Sequence, residues 1–324
     1  MVAGLEVRGA VARYGKVTAV DDVSLAVPPG QIVALLGHSG SGKSTLLRAI
    51  AGLEPLVAGS VLWDGASLDG VKTHKRNFGM VFQDAQLFPT MSVGKNVGYG
   101  LSKWSRAERD ARVGEMLELV GLAGYGDRKI TELSGGQAQR VALARSLAPT
   151  PRALLLDEPL SALDTGLRRR LADDLARILR ETNTTAVYVT HDRDEAYAIA
   201  DEVAVMADGR LLDKSDPVLL RSRPASRDVA TFLGAQAFLT QAQARALGWD
   251  GELAVGEVLG VMPGSLVLDG DGVKLEILDQ TVTVDDIQIS VRLPEGSTAA
   301  VSSRGRVESP TVRVRLVDGA VVPA

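Results

Sequence analysis

Cysteine is absent from this chain of 324 residues, so it forms neither a disulfide bond nor a thiolate metal site. Aromatic residues make up only 4% of the chain. No apolar run approaches the roughly twenty residues that cross a bilayer, and residues 1–15 lack the uninterrupted apolar segment of a signal peptide. We therefore expect a protein that stays inside the cell and is soluble by itself.

A large excess of basic residues is also missing. The formal net charge is −4, and residues 235–324 carry 12 acidic and 7 basic side chains, which leaves the first 234 residues close to neutral. Proteins held to nucleic acid by phosphate contacts need a pronounced basic excess. The composition therefore argues against nucleic acid as a partner, while 45% hydrophobic residues suffice for a sizeable core.

The pattern of apolar residues changes near residues 222–236. Beyond that point apolar and polar residues alternate with a period of two, which predicts half-buried antiparallel strands. The alternating segments are VKLEILD (273–279), IQISVRL (287–293) and TVRVRLV (311–317). The glycine-rich LDGDG (268–272) predicts a turn that separates such strands. We predict a first domain over residues 1–233 and a small β-barrel or sandwich over residues 234–324.

Four short, solidly apolar runs in the first domain each end at a polar residue. Such runs fit strands of a parallel sheet buried on both faces, whose ligand binds beyond the carboxyl ends of the strands. The runs are IVALLG (32–37), FGMVF (78–82), ALLL (153–156) and AVYVT (186–190), followed by HSGSGKST, Gln83, Asp157–Glu158 and His191. We therefore predict an α/β fold in which the four polar endings gather around one ligand.

The first of these endings predicts that the ligand is a nucleotide. GHSGSGKS fits G-x-x-x-x-G-K-[ST] between a predicted strand and a predicted helix, TLLRAIAGL (45–53). In such a loop the backbone surrounds phosphate groups, Lys43 reaches the β- and γ-phosphates, and the Ser44 hydroxyl binds Mg²⁺. The residues predicted to contact the nucleotide are Gly37, His38, Ser39, Gly40, Ser41, Gly42, Lys43, Ser44 and Thr45.

Asp157 and Glu158 supply a second half of this site. An aspartate at the end of a strand beside a phosphate loop can hold Mg²⁺, and Glu158 is then placed to orient or deprotonate a water that attacks the γ-phosphate. An acidic pair after a strand is by itself more often a helix cap or a turn. The presence of Lys43 and Ser44 favours the interpretation as a metal and water site.

A second segment, LSGGQAQR (133–140), looks like a phosphate-binding helix start without a lysine. A predicted helix follows from Gln137 to Leu147, and the free N–H groups and dipole of such a start attract anions. The simpler alternative is that Ser134 only caps this helix. The chain therefore carries one complete phosphate site and part of another.

Taken in order, these motifs resemble those of the ATP-binding subunits of ABC transporters over about residues 5–233. GHSGSGKST is similar to the Walker A motif, Gln83 to the Q-loop, LSGGQ to the signature, LLLDEP to Walker B, SALD (161–164) to the D-loop and His191 to the switch histidine. Tyr14 stands where the family has an aromatic residue that stacks on adenine, although ordinary packing is an alternative. His38 replaces a proline common in the family, and Ala138 a frequent glutamine; neither change removes a proposed ligand.

The resemblance implies an α/β P-loop NTPase domain of the ABC ATPase type, with a helical lobe inserted at about residues 90–147, and then a small all-β, barrel-like domain. It implies a dimer of two copies, or of this chain and a related ATPase subunit, facing head to tail. One subunit would then contact the ATP of the other through Ser134, Gly135, Gly136 and Gln137, with Asp164 shaping the dimer contact. The implied catalytic residues are Lys43, Gln83, Glu158 and His191, and the implied Mg²⁺ ligands are Ser44, Gln83 and Asp157.

The resemblance also implies a function, that of an ATP-hydrolysing motor of an importer on the cytoplasmic face of the bacterial inner membrane. Its partners would be membrane permease subunits and, indirectly, an extracytoplasmic solute-binding protein. The compact tail is similar to that of importers for iron, thiamine, sulfate or molybdate, and polyamines, so the solute stays open. Two alternatives are a soluble ABC ATPase of translation or DNA repair, which usually has tandem cassettes, and a nucleotide kinase, which needs no signature motif.

Overall fold

The structure is a computed structural model that describes residues 4–324 except residues 162, 164 and 285. The chain divides into two compact units, Met1–Pro217 and Val218–Ala324. Each unit has a hydrophobic core of its own. The two parts of the chain therefore fold around separate sets of apolar side chains.

The described part of the first unit forms two sheets. Its strands are β1 Leu5–Tyr14, β2 Val17–Val27, β3 Ile32–Leu36, β4 Ala58–Trp63, β5 Ala66–Ser67, β6 Phe78–Val81, β7 Ala153–Asp157, β8 Ala186–Thr190, β9 Glu202–Ala207 and β10 Arg210–Ser215. One sheet has the order β2-β1-β4-β5 and is antiparallel; the other has the order β10-β9-β3-β8-β7-β6. In the second sheet β10 is antiparallel to β9, whereas the pairs from β9 to β6 are parallel.

The central strands of the larger sheet are the predicted apolar runs. Every residue of β3, β7 and β8 is buried, as expected for a parallel sheet covered on both faces. The carboxyl ends of parallel strands lie at one edge of the sheet, so the residues that follow them meet there. These residues are Gly37, Gln83, Glu158 and His191. The predicted α/β fold of the first domain is confirmed.

Helices connect these strands and cover the sheet. They are α1 Lys43–Ala51, α2 Val93–Val97, α3 Arg106–Leu119, α4 Gly135–Leu147, α5 Thr165–Glu181 and α6 Arg193–Ile199. Helices α2, α3 and α4 pack on one another within the predicted lobe. Helix α4 begins at Gly135, two residues before the predicted start, because Ser134 is its N-cap. Among the described residues, no helix combines the length and the apolar character needed to cross a membrane.

The described part of the second unit is built mainly from antiparallel strands, as predicted. Three short helices occur near its start: α7 Pro217–Ser222, α8 Arg227–Phe232 and α9 Gln241–Ala246. Its strands are β11 Phe238–Leu239, β12 Glu257–Gly260, β13 Leu266–Val282, β14 Ile287–Arg292, β15 Thr298–Ser303, β16 Thr311–Leu316 and β17 Ala320–Pro323. They form two sheets, β11-β12-β17 and β15-β14-β13-β16, around a core that includes Leu259, Ile289 and Val314.

The turn predicted at residues 268–272 is wrong, because these residues belong to the long strand β13. Leu268 and Val273 both pair with Val314, so the residues between them form a bulge. A Cβ atom on Gly272 would lie 2.3 Å from the carbonyl oxygen of Val314, so only glycine permits this close approach. Glycine-rich segments mark bulges as well as turns, and the sequence alone did not distinguish them.

Candidate active site

The loop between β3 and α1 owes its shape to glycine. Gly40 and Gly42 have φ angles of 83° and 96°, in the left-handed region that favours glycine. A Cβ atom on Gly42 would lie 2.2 Å from the carbonyl oxygen of Ala19. His38 and Ser39 are exposed on the outside of this loop. Glycine at these two positions therefore permits a loop conformation that other residues would adopt only with strain.

Lys43 is the first residue of α1, and its side chain is buried inside the loop. Its Nζ atom donates hydrogen bonds to the carbonyl oxygens of Gly37 and His38, both at 2.8 Å. Burial lowers the pKa of Lys43, and the nearby carboxylates of Glu158 and Asp157 oppose that shift. A cation that is poorly solvated and next to a phosphate loop is well placed to bind phosphate oxygens.

Ser44 and Asp157 bring two oxygen ligands together beside the loop. The Ser44 hydroxyl donates a hydrogen bond of 2.6 Å to Oδ1 of Asp157, the last residue of β7. Asp157 is buried, and Nη2 of Arg48 lies 3.7 Å from its Oδ2 atom. A hydroxyl and a carboxylate are hard oxygen donors of the kind that Mg²⁺ prefers.

Glu158 and His191 are in direct contact at the same edge of the sheet. Nδ1 of His191 lies 3.1 Å from Oε2 of Glu158. Glu158 has a φ angle of 45°, which is rare for a residue other than glycine, and its N–H donates to the carbonyl oxygen of Val189. Such strained backbone positions cluster at active sites. The sharp turn at Glu158 presents its carboxylate to the imidazole ring.

The loop that contains Gln83 is held by helix α4. Nε2 of Gln139 donates to the carbonyl oxygen of Gln83 at 2.6 Å. Arg145 donates to the carbonyl oxygens of Ala85 and Gln86 at 3.0 and 2.8 Å. Ala85 and Gln86 both have positive φ angles, 58° and 44°. The helix that begins at the LSGGQ segment therefore fixes the backbone conformation of this loop.

Ser134 closes the first turn of α4. Its Oγ atom accepts from the N–H of Gln137, and the side chain of Gln137 accepts from the N–H of Ser134, which is the capping role that the simpler alternative predicted. Gly135 and Gly136 face Leu163 and Leu167. The described contacts of these residues are thus within α4, with Leu163 and with α5.

Tyr14 is the last residue of β1, in the smaller sheet, and its side chain is 47% exposed. Tyr14 is therefore not part of the buried core, and stacking on adenine stays a prediction. Thr45 lies in the first turn of α1, and Ser41 is buried in the loop. Asp164, predicted at a dimer contact, lies outside the described residues.

Comparison with known proteins assigns the chain to a family. The sequence model of the ABC transporter family matches residues 20–161. An Fe(3+) ions import ATP-binding protein of Streptomyces coelicolor is 52% identical over 232 residues, covering 71% of this chain and 67% of that protein. The protein of the same name in Streptomyces avermitilis is 46% identical over 276 residues, covering 84% and 80%. The chain belongs to the ATP-binding subunits of ABC importers.

A further relative of this ABC ATPase carries a different name. A spermidine/putrescine import ATP-binding protein of Roseobacter denitrificans is 47% identical over 232 residues, covering 71% of this chain and 64% of that protein. The ABC ATPase therefore resembles subunits named for chemically different solutes. The family assignment fixes ATP binding and hydrolysis as its activity, in agreement with the sequence prediction.

Within this ABC ATPase, five of the sequence-predicted residues form a compact cluster, whereas Tyr14 lies in the other sheet and only the backbone of Gln83 has a described contact. Lys43, Ser44, Asp157, Glu158 and His191 are linked by the contacts described above. Side chains from other elements support the cluster, and none of them was predicted from the sequence. These are Arg48 beside Asp157, Gln139 and Arg145 on the loop of Gln83, and Arg168 on the D-loop. The partners of Arg48, Gln139 and Arg145 are distant in sequence, as is Asp192, a second partner of Arg168, so no local pattern signals these contacts.

Proposed function

We propose that this ABC ATPase works as a head-to-tail dimer that hydrolyses MgATP and drives import of ferric iron through separate membrane permease subunits. The observation that carries the proposal is the contact between Glu158 and His191 beside the loop of Lys43. Two relatives named for Fe(3+) import support the choice of solute. The relative named for spermidine and putrescine makes polyamines the second candidate.

The proposed dimer assigns a purpose to the LSGGQ segment. The start of α4 offers N–H groups and the positive end of a helix dipole, which attract phosphate, but the segment has no lysine. In a head-to-tail dimer, Lys43 of one subunit supplies that cation to the ATP that the other subunit's Ser134–Gly136 segment covers. The subunit would lie on the cytoplasmic face of the inner membrane, bound to permeases that receive solute from an external binding protein.

The donor set at Ser44 and Asp157 fits Mg²⁺. No group of three or more histidine, aspartate or glutamate side chains within the described residues could hold a metal by itself. This arrangement suits Mg²⁺, which commonly takes one or two protein oxygens and completes its shell with phosphates and water. We propose Ser44 and Asp157 as ligands, with Gln83 as a third. When bound, the ion neutralises charge on the β- and γ-phosphates.

Glu158 and His191 perform the chemical step in this proposal. The Glu158 carboxylate accepts a proton from a water whose oxygen bonds to the γ-phosphorus, while the bond to the β–γ bridging oxygen breaks and ADP leaves with that electron pair. His191 holds the carboxylate through Nδ1 and contacts the γ-phosphate. Lys43 stabilises the charge that develops on the phosphate oxygens.

Substitution of Glu158 tests the hydrolysis mechanism. Glu158→Gln keeps the shape of the side chain but cannot accept the proton, so we expect ATP binding to persist while kcat falls about 100-fold or more. In the presence of ATP this variant should then accumulate as a dimer, which light scattering after gel filtration detects. Lys43→Ala, the matched variant, should lose ATP binding and stay monomeric. Near-normal turnover of Glu158→Gln would exclude Glu158 as the base.

Purification from native membranes tests the proposed transport role and solute. The tagged chain, solubilised in mild detergent, should retain a permease and an external binding protein. Binding of ferric iron by that protein would support the proposed solute, and binding of spermidine would favour the second candidate. Retention of ribosomes or DNA-repair factors in place of a permease would contradict the transport role.

A further inference from the structure

Arg168, in the first turn of α5, contacts two loops of the site at once. Its Nη2 atom donates to the carbonyl oxygens of Leu163 at 2.9 Å and of Ser161 at 3.4 Å. Its Nη1 atom donates to Oδ2 of Asp192 at 3.3 Å. Asp192 directly follows His191 in the sequence. One guanidinium group therefore joins the segment after Glu158 to the segment that carries His191.

Both of these segments are already connected to the reacting groups. The hydroxyl of Ser161 donates to the carbonyl oxygen of Glu158 at 3.0 Å. On the other side, Nδ1 of His191 lies 3.1 Å from Oε2 of Glu158. Arg168, Ser161, Glu158, His191 and Asp192 thus form a closed ring of contacts. These links restrain the position of the imidazole relative to the carboxylate.

Further hydrogen bonds hold the segment around Asp192, to which Arg168 binds. Oδ1 of Asp192 accepts from the N–H groups of Asp194 and Glu195 and so caps α6. The N–H of Asp192 donates to the hydroxyl of Thr190. The Arg168 Nε atom lies 3.5 Å from Oε1 of Glu195. A displacement of Arg168 is therefore transmitted to the backbone on both sides of His191.

Local helix stability does not explain an arginine at this position. A positive charge in the first turn of a helix opposes the positive end of the helix dipole. The Nε atom of Arg168 is buried and makes no hydrogen bond within the described part of the chain, although the Glu195 carboxylate 3.5 Å away offsets part of its desolvation cost. The neighbouring Arg169 carries the same charge but is 78% exposed, and its Nη2 atom lies 4.0 Å from Oδ2 of Asp194, which is 82% exposed.

We propose that Arg168 is a positioning residue that fixes His191 against Glu158. It does so by clamping Ser161 and Leu163 of the D-loop to Asp192, the residue after His191. It touches neither the nucleotide nor the attacking water, and it acts through His191. The inference rests on the proposed function, since it assumes that Glu158 and His191 carry out hydrolysis. It goes further by joining Ser161 and Leu163, two residues of the segment proposed at the dimer contact, to the switch histidine through Arg168.

Kinetics of the full-length chain test this proposal. Arg168→Ala should lower kcat about 10- to 100-fold, the size of effect expected from misplacing a catalytic group by about 1 Å, and leave KM for ATP within twofold. Arg168→Lys should recover little of the loss, because an ammonium group does not offer the separate N–H directions of the guanidinium fork. Arg169→Ala, which removes the same charge from the same helical turn, should retain the wild-type kcat.

A double-substitution cycle separates positioning through His191 from a general structural role. His191→Ala should lower kcat, and adding Arg168→Ala to it should lower kcat by less than a further twofold. The proposal would be overturned if kcat of the double variant fell by the product of the two single losses. It would also be overturned if His191→Ala had a normal kcat. Normal kcat in Arg168→Ala would also overturn it.

A second variant covers the case in which Arg168→Ala does not fold. Asp192→Asn retains the cap of α6, because asparagine is an equally good N-cap residue, but it weakens the ion pair with Arg168. It should lower kcat with an unchanged KM, and a normal kcat would reject the clamp. If the proposed function itself were wrong, the result would differ. Glu158→Gln would then hydrolyse ATP at a normal rate, whatever the kcat of Arg168→Ala.

Discussion

Glu195 is a buried carboxylate that accepts hydrogen bonds from two hydroxyl groups. Tyr188 and Thr190 each donate a hydrogen bond of 2.8 Å to its Oε2 atom. Burial raises the pKa of Glu195, while the bonds from Thr190 and Tyr188 and the charge of Arg168 oppose that shift. Because its folded-state pKa is raised, ionisation of Glu195 costs stability as the pH increases through that value. The hydroxyl groups reduce this cost.

Tyr188→Phe should therefore destabilise the protein by about 1–3 kcal/mol, since it leaves a buried carboxylate with one donor fewer. The phenol stabilises the ionised form, so its loss raises the pKa of Glu195 further. The cost should consequently be larger at about pH 8 than at about pH 5. Urea unfolding at both pH values measures the difference. Tyr14→Phe, at an exposed position, should change stability by less than about 0.5 kcal/mol, and an equal cost of Tyr188→Phe at both pH values would contradict this account.

Helix α3 contains a glycine that its packing does not require. Gly114 lies in its interior on the exposed side, and a Cβ atom there would have no neighbour within 4 Å. The helix is already well terminated, because Ser105 and Glu108 form a capping box at its start. Glycine in a helix interior mainly adds conformational entropy to the unfolded chain.

Gly114→Ala should stabilise the protein by about 0.5–1 kcal/mol, because alanine has the higher helix propensity and meets no steric obstacle. The midpoint of urea unfolding should rise while ATP turnover is unchanged. Gly100→Ala serves as the control, since its Cβ atom would lie 2.6 Å from Cγ of Pro149. That variant should be destabilised. If both substitutions stabilised the protein, or both destabilised it, the space around each glycine would not determine the change in stability.

The elements differ in how far the sequence predicts them. Strands β3, β7 and β8 were predicted because a buried parallel strand is an uninterrupted apolar run. Asp157 was predicted because it directly follows such a run, and Lys43 and Ser44 because they complete a G-x-x-x-x-G-K-[ST] pattern after one. The bulge of β13 was missed because its close approach to Val314 is a tertiary contact. The bond from Gln139 to Gln83 and the clamp of Arg168 were missed for the same reason. A polar side chain in a helix does not show from its sequence neighbours which distant carbonyl group it binds.

At the scale of the whole molecule, the two units have cores that share no residue. Leu155, in β7, is fully buried in the core of the first unit, two residues before Asp157. Ile289, in β14, is fully buried in the core of the second unit. Separate cores allow separate cooperative transitions, because loss of packing in one does not remove contacts from the other.

Ile289→Ala should therefore destabilise the second unit by about 2–5 kcal/mol while ATP turnover at 25 °C, measured below its unfolding transition, stays unchanged. Leu155→Ala should cost a similar amount in the first unit and also lower turnover, because the cavity lies next to the strand end that presents Asp157 and Glu158. Calorimetry should resolve two transitions, of which each variant shifts a different one. A single transition that both variants lower together would show that the units unfold as one, and the chain would then need to be treated as one cooperative body despite its two cores.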